Sequence, residues 1–488
     1  MDLGYWALLL VVVGWLYLRT RKAKKFPPGP ARLPIVGTLW RSHVGREPQF
    51  IRHCRMAREY GKVVGYYFFD QPAVMIFDVD LARGVFATND SAGRPHMDVL
   101  KKRTFGEMRG ILFNEGPSWQ RQRRFALQHL RDLGMGRASL ETIVQQEVGA
   151  MIRSFTERTG KPVAVQHLFN VFMLNVPWEI ISGKRFDERD PRLPVILRAI
   201  SDVSTQGVGL LGIVRFLFGS YLTSSLSQKM YRGMEENRDG LVAILKEEIQ
   251  EHKESMDPKS PKDFIDAYLI EMSSTSDSSE FTELTLYSVL MDLFTASTGT
   301  NSVSLEWAML FLVLYPECQR RARAELAAVV GPGRLVTLED QPHLPYTQAL
   351  VAETLRRSSV LALGVLHRAT ADIPVAGYIV PKDAWLYINL YAIHHDVEYW
   401  GDPFNFRPER FIHDGQFQPD THLVPFSVGK RICMGESLGR TEQFLFLANI
   451  VHHFEVLTPE GDPAPRFDYQ CGARNSPAPF RVTFRPTG

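Results

Sequence analysis

The polarity pattern divides the chain into a short apolar leader, a proline-rich connector and a long mixed body. Leu3 to Leu18 runs 16 residues without a charge, with Trp6, Trp15 and Tyr17 near its ends. Five basic residues follow in seven positions: Arg19, Arg21, Lys22, Lys24 and Lys25. A cleaved signal peptide has its positive charges before the apolar run, so the reverse order here predicts an uncleaved membrane anchor. Sixteen residues at 1.5 Å rise reach ~24 Å, enough for a thin bilayer. Basic residues on its C-terminal side keep the rest of the chain cytoplasmic. Residues 1–25 are therefore read as anchor and basic flank, 26–37 as a stiff proline hinge, and 38–488 as the folded body.

Within the body, helical periodicity dominates. A long helix is predicted over Thr282–Leu314, stopped by Pro316, with shorter ones over Cys318–Val330, Tyr346–Ser358 and Met434–His453. Aromatic and β-branched residues from Lys62 to Phe77 flank Asp70-Gln71-Pro72 and predict a hairpin. The polar stretch Glu248–Ser279 reads as exposed loop and helix ends. Gly207–Gly212 matches GxGxxG, but no β-branched strand precedes it and no βαβ repeat surrounds it, so no nucleotide site is assigned. The surrounding run Gly207–Leu222 has Arg215 as its single charge and predicts either a buried loop or a second membrane contact. The fold class that follows is mostly α with small β-sheets.

Composition removes several function classes. The 488 residues are 45% hydrophobic and 23% charged with net charge +2, which excludes disorder and gives no whole-chain argument for nucleic-acid binding. Cys54, Cys318, Cys433 and Cys471 are scattered without a CxxC spacing, which suits a reducing compartment without a disulfide framework.

Cys433 stands apart from the other three by its surroundings. In Pro425-Phe426-Ser427-Val428-Gly429-Lys430-Arg431-Ile432-Cys433-Met434-Gly435 the thiol lies between two glycines and two residues after an arginine. Glycines let backbone approach a large flat group, and a cationic, amide-rich loop favours the thiolate that binds metal. The run resembles the haem-ligand loop of the cytochrome P-450 family, Phe-x-x-Gly-x-Arg-x-Cys-x-Gly, with Phe426, Gly429, Arg431, Cys433 and Gly435 matching. The resemblance implies one large helical domain. Haem b would sit between the long helix and the helix after the cysteine loop, with Cys433 on the iron. A thiolate ligand pushes electron density toward iron and favours O–O cleavage. Arg431 is expected to meet a haem propionate.

Other motifs extend the resemblance along the chain. Trp119-x-x-x-Arg123 places an indole N–H and a guanidinium one helical turn apart, matching a propionate-binding pair. His367 stands where relatives place a propionate-binding His or Arg. Glu353-x-x-Arg356 with Arg410 matches a structural Glu-Arg-Arg triad and is kept out of the catalytic set. In Ala296-Ser297-Thr298-Gly299-Thr300-Asn301, Ala296, Thr300 and Val303 share a helix face suited to lie over a flat cofactor. Thr300 matches the family's oxygen-activating threonine.

At Gly299 the sequence departs from its family, which carries Asp or Glu beside that threonine. A general acid is worth ~10²–10⁴-fold where proton transfer limits the rate. Three readings follow: a monooxygenase delivering protons through water near Thr300, Thr298 or Asn301; a peroxide-rearranging isomerase; and a haem-binding protein without turnover. Retention of Thr300 favours the first. The resemblance is to microsomal enzymes of vertebrate family two and arthropod relatives. It implies a lipophilic substrate (terpenoid, steroid, fatty-acid or xenobiotic) and location on the endoplasmic reticulum membrane. Electrons would come from NADPH through an NADPH-cytochrome reductase, with cytochrome b5 as a further donor. Arg121, Arg124 and Lys430 are candidate docking charges.

Overall fold

The computed structural model describes residues 11–14, 20–42, 47–132, 138–205, 225–274 and 280–487. Most of the predicted anchor and the whole Gly207–Leu222 run lie outside the described residues, as does the GxGxxG match. Among the described residues, no helix is long and apolar enough to cross a membrane.

The long helix spans Glu283–Leu314, and its start is set by Thr282, whose hydroxyl accepts the Thr285 N–H at 3.1 Å. Tyr315 ends it, and Pro316 opens the next helix, Pro316–Val329. The long helix is buried nearly all round, as expected for a segment apolar on every face. It packs on the helices Asn170–Ser182, Pro345–Ser358 and Glu436–His453. Asn301 ties it to the last of these, donating to the Glu442 carboxyl group, while Gln443 Nε2 donates to the Asn301 carbonyl at 3.1 Å. The long helix and the helix after the cysteine loop are thereby held in fixed register.

A four-stranded sheet flanks the helices. Val63–Phe68 pairs antiparallel with Gln71–Ile76, which runs parallel to Trp385–Ile388, and His367–Arg368 closes the edge. The predicted hairpin is present, but the chain turns at Phe69-Asp70. Phe69 takes the left-handed conformation (φ 57°), while Gln71 and Pro72 already pair with Phe68 and Tyr67. The proline-rich segment lies against this sheet: Gly65 N–H donates to the Pro28 carbonyl at 2.7 Å, and the Phe26 and Tyr67 rings are 5.0 Å apart.

The polar-looking stretch after Glu248 holds a second departure from expectation. Helix Phe264–Ser274 buries Phe264, Ile265, Tyr268 and Leu269, so its apolar stripe was hidden by flanking polar residues. His252, buried at the end of helix Ser225–Ser255, bridges to it. Its Nε2 lies 2.9 Å from Asp263 Oδ2 and its Nδ1 2.8 Å from the Glu248 carbonyl. Asp266 lies beside them, but both ring nitrogens face acceptors, which describes an ion pair and leaves no lone pair for a metal.

Burial works against the charged ring, yet the Asp263 and Glu248 contacts raise its pKa to about 9. A folded pKa raised above the ordinary His value contributes stability that is present below pH ~6.5 and lost as pH rises through about 9. The expected outcome is that thermal unfolding followed from pH 6 to 10 shows a loss on the order of 3 kcal/mol in wild type that His252→Gln lacks. Parallel pH curves for the two proteins would contradict the assignment.

Candidate active site

Cys433 follows a single tight turn, Gly429–Arg431, and its backbone N–H donates to the Phe426 carbonyl at 3.1 Å. Gly429 is required there twice over: its φ is +83°, and a Cβ would fall 2.0 Å from the Phe86 carbonyl oxygen. The flanking glycines therefore play different parts. Gly429 lets the loop press onto Phe86, whereas a Cβ at Gly435 would meet nothing within 4 Å. The Phe426 ring lies against Gly439, with the Arg440 guanidinium 4.9 Å from its centroid. The cysteine loop is thus clamped from both sides, and its thiol faces a cavity.

That cavity has a volume of about 1140 Å³. Cys433 and Phe426 lie on its wall, as do Ala296 and Thr300 of the long helix. Ala296 is exposed although it sits at the centre of a buried helix, because only the cavity faces it. Thr300 Oγ1 donates to the Ala296 carbonyl at 2.7 Å, one turn back. Val303 does not join them. It packs into the hydrophobic core, and Ser304, which donates to the Thr300 carbonyl at 2.9 Å, takes the next cavity position.

One end of the cavity carries cations. Arg431 is buried, and its Nε, Nη1 and Nη2 donate to the carbonyls of Ala92, Ile111 and Asn114 at 2.9, 3.2 and 2.6 Å. Its guanidinium lies 3.5 Å from the centroid of the Trp119 ring. Trp119 sits on helix Gly116–Asp132, and Arg123, one turn on, donates to the Ile432 carbonyl at 2.6 Å. His367 Nδ1 is 2.8 Å from the Ser91 carbonyl, which leaves Nε2 for another partner. Arg94, which the motif reading missed, also reaches the cavity and donates to the Leu112 and Leu366 carbonyls at 2.9 and 2.7 Å. Its sequence signal was an arginine between Gly93 and Pro95, held outside any helix.

These groups crowd like charge. Burial, and then Arg94 and Arg123, lower the Arg431 pKa to about 7; burial and Arg123 lower that of Arg94 to about 9. Burial and Arg94 likewise hold His367 well below the usual range. Glu115 pairs with Arg368 and His96 and offsets part of this charge. Trp119 Nε1 is buried without a hydrogen-bond partner. A buried donor without an acceptor costs ~1–3 kcal/mol, and an uncompensated cationic cluster costs more. Both are relieved by a large ligand with acidic arms at this end and a metal over the thiol. Haem with its two propionates has that form.

Cys433 itself corrects one expectation. Arg431 points away toward carbonyls and does not lower the thiol pKa. Burial raises it, while the Gly435 amide and, less strongly, Arg123 act in the other direction. Thiolate character therefore depends on metal binding rather than on the loop alone.

Two groups near Thr300 were also missed. Glu442 is fully buried, and burial pushes its carboxyl well above the usual range, so it is a neutral acid held by Asn301. Arg474, from the C-terminal segment, lies on Gly299: a Cβ there would fall 2.1 Å from its Nη1. Thr298 Oγ1 is buried without a partner, whereas Asn301 lines the cavity and gives its Nδ2 to Glu442 and its backbone carbonyl to Gln443 of the neighbouring helix.

Behind the cysteine loop, the Glu353–Arg356–Arg410 triad forms as expected. Arg356 bonds both Glu353 oxygens at 2.7 and 2.8 Å, and Arg410 Nε approaches at 3.1 Å. Arg356 also donates to the His394 carbonyl at 2.6 Å, and His394 Nε2 accepts the Val424 N–H at 3.1 Å. The triad thus holds the base of the loop that carries Cys433. Of the docking candidates, Arg124 and Lys430 are exposed, whereas Arg121 pairs with Glu280.

Comparison with known proteins agrees with this geometry. A family model described as Cytochrome P450 matches residues 27–484. Cytochrome P450 2J3 of Rattus norvegicus is 32% identical over 495 residues, covering 98% of this chain and 96% of the relative. A farnesoate epoxidase of Bombyx mori is 32% identical over 488 residues, covering 98% and 97%. Cytochrome P450 2L1 of Panulirus argus is 32% identical over 483 residues, covering 96% of each.

Proposed function

The chain belongs to the cytochrome P450 family and is a haem-dependent monooxygenase acting on a lipophilic small molecule, and from that premise we propose how its residues divide the work. Cys433 is the iron ligand. Trp119, Arg123, Arg431, His367 and Arg94 would hold the cofactor's acidic end, and Ala296 and Phe426, which line the same cavity, would pack against it. The observation that carries this assignment is that one cavity holds the Cys433 thiol with Ala296 and Thr300, and carries Arg94, Arg123, His367 and Arg431 on its wall, the last stacked on the Trp119 ring whose N–H is unpartnered.

Haem bound there supplies the redox centre at which dioxygen is reduced and one oxygen atom passes to substrate while the other leaves as water. The chain's own residues orient substrate and handle protons. Thr300 Oγ1 parks its proton on the Ala296 carbonyl, leaving its lone pairs to accept a hydrogen bond within the cavity. The mainly apolar walls, with Leu361, Leu363 and Leu366 among them, exclude bulk water and favour lipophilic substrates. A terpenoid, steroid, fatty-acid or xenobiotic substrate fits such walls, and the farnesoate epoxidase of Bombyx mori supports the terpenoid end of that range.

The remaining parts of the proposal concern partners and place. A membrane-bound NADPH-cytochrome reductase docks near the cysteine loop, with Arg124 and Lys430 as contact charges, and cytochrome b5 serves as a second donor. Residues 1–25 anchor the chain in the endoplasmic reticulum membrane, 26–37 form the hinge, and 38–488 form the catalytic domain. The similarity to family-two enzymes supports this placement.

The test is reconstitution with reductase on a lipid and terpenoid panel. NADPH-dependent product is expected, and Thr300→Ala lowers product per NADPH severalfold while more peroxide is released, with Thr300→Ser restoring coupling. Product formed from a hydroperoxide without reductase, at a rate that Thr300→Ala leaves untouched, would favour the rearrangement reading.

A further inference from the structure

Arg474 is the feature that the proposed machinery does not use. It comes from the loop between Cys471 and Asn475, lines the cavity, and lies on the long helix over Gly299, one residue from Thr300. Its fit to the glycine is close enough that any side chain at 299 must displace the guanidinium. Position 299 and position 474 therefore act as a pair. Where the family pattern carries a carboxylate, this chain carries a glycine with an arginine laid across it. The local charge has changed sign.

The guanidinium is poorly compensated for its surroundings. It makes one hydrogen bond, from Nη1 to the Thr295 carbonyl at 3.3 Å. Glu306 is the nearby acid, yet among the described residues no carboxylate reaches salt-bridge distance of Arg474. Glu306 is instead turned to the His167 N–H, which it accepts at 2.8 Å. Burial pushes the Glu306 carboxyl up to about 7, so at neutral pH it is only partly ionised, whereas Arg474, lowered by burial to about 10, stays charged. The guanidinium is half-buried, with N–H groups that bond nothing in the protein on the wall of a mainly apolar cavity, and such donors favour an acceptor brought in by a ligand. An arginine whose sole task was to neutralise Glu306 would be in contact with it.

Resting on the reading of this cavity as the substrate pocket, we propose that Arg474 anchors a carboxylate on the substrate. The enzyme then acts on a lipophilic acid in preference to its neutral ester. A guanidinium offers two parallel N–H donors to a carboxylate, and the absent side chain at 299 leaves it room to lie flat against the helix. The anchor also fixes which carbons of the acid come near Thr300, so Arg474 is a specificity-determining residue and not a catalytic one.

The experiment compares acid and ester binding to the haem-loaded full chain by the spin-state shift of its absorption spectrum, with equilibrium dialysis as an independent readout. Two pairs serve as probes: dodecanoic acid with its methyl ester, and a C15 isoprenoid acid with its methyl ester. The expected result is that at least one acid binds roughly tenfold or more tightly than its ester. Arg474→Gln removes that preference while ester affinity stays within about twofold, and Arg474→Lys keeps part of it. Gly299→Ala, which leaves the charge in place but displaces the guanidinium, weakens acid binding by less than Arg474→Gln. Equal binding of acid and ester, equal loss of both in Arg474→Gln, or failure of both acids to bind overturns the proposal. A wild-type protein without a thiolate-type carbonyl band would instead overturn the Cys433 assignment, and dialysis separates the two failures.

Discussion

Cys433→Ser is expected to abolish the thiolate-type carbonyl band and all NADPH-dependent turnover, while the protein still folds. The substitution is nearly isosteric, and the loop is held by groups other than the sulfur: the Cys433 N–H to the Phe426 carbonyl, Gly429 against Phe86, and Arg431 on three carbonyls. A serine oxygen is a much poorer donor to iron, so the spectrum changes class without collapse of the domain. The control is Cys471→Ser, because Cys471 is the other thiol on the cavity wall. Cys54 and Cys318 are held inert by burial, which raises them to about 12 and about 11. Retention of the native band in Cys433→Ser, with loss in Cys471→Ser, would move the ligand across the cavity and undo the assignment of the whole site.

Arg356→Leu is expected to have the largest effect on stability. Both side chains of the Arg356–Glu353 pair are fully buried, and Glu353 also accepts the Arg407 N–H at 2.8 Å. Removing the arginine leaves a buried carboxylate with Arg410 as its remaining cation and the Arg407 N–H as a further donor, and frees the His394 and Pro403 carbonyls of their donor. Breaking a buried pair by removing one partner typically costs ~3–5 kcal/mol. Because His394 in turn holds Val424 at the base of the cysteine loop, haem retention falls with the unfolding midpoint. Thermal melts and haem content are the readouts. Glu353→Gln, which keeps the volume and removes the charge, is expected to be damaged less. Wild-type stability in Arg356→Leu would contradict the role given to the triad.

The parts of this molecule that were legible in the sequence are those written in local spacing. The helix over Glu283–Leu314 shows its cap at Thr282 and its stop at Pro316. The cysteine loop and the Trp119/Arg123 pair are written in short local spacings; the structure brings Cys433 and Arg123 to one cavity with Ala296 and Thr300, and stacks Trp119 on Arg431. What the sequence hid depends on contacts between distant segments. Arg94 and Arg431 come together because Arg431 reaches across to the Ala92 carbonyl, two residues before Arg94, so their mutual repulsion has no sequence signature. The burial of His252 and Asp263 needs two helices that lie either side of a polar loop.

Gly299 is the clearest case. Read alone, it is a missing acid, and restoring it as Gly299→Glu promises better proton delivery. Read with Arg474 across it, the same substitution creates an ion pair with that guanidinium, and Gly299→Ala is no neutral control because its methyl displaces the arginine. The expectation drawn from the linear sequence is therefore revised: Gly299→Glu should neutralise Arg474 rather than serve Thr300.

Oxygen labelling tests the monooxygenase assignment most directly. With reductase, NADPH and ¹⁸O₂, the product of any substrate found in the panel is predicted to carry one labelled oxygen atom, and none when the label is supplied in water. Product whose new oxygen comes from a substrate hydroperoxide, formed at full rate without reductase or dioxygen, would contradict it.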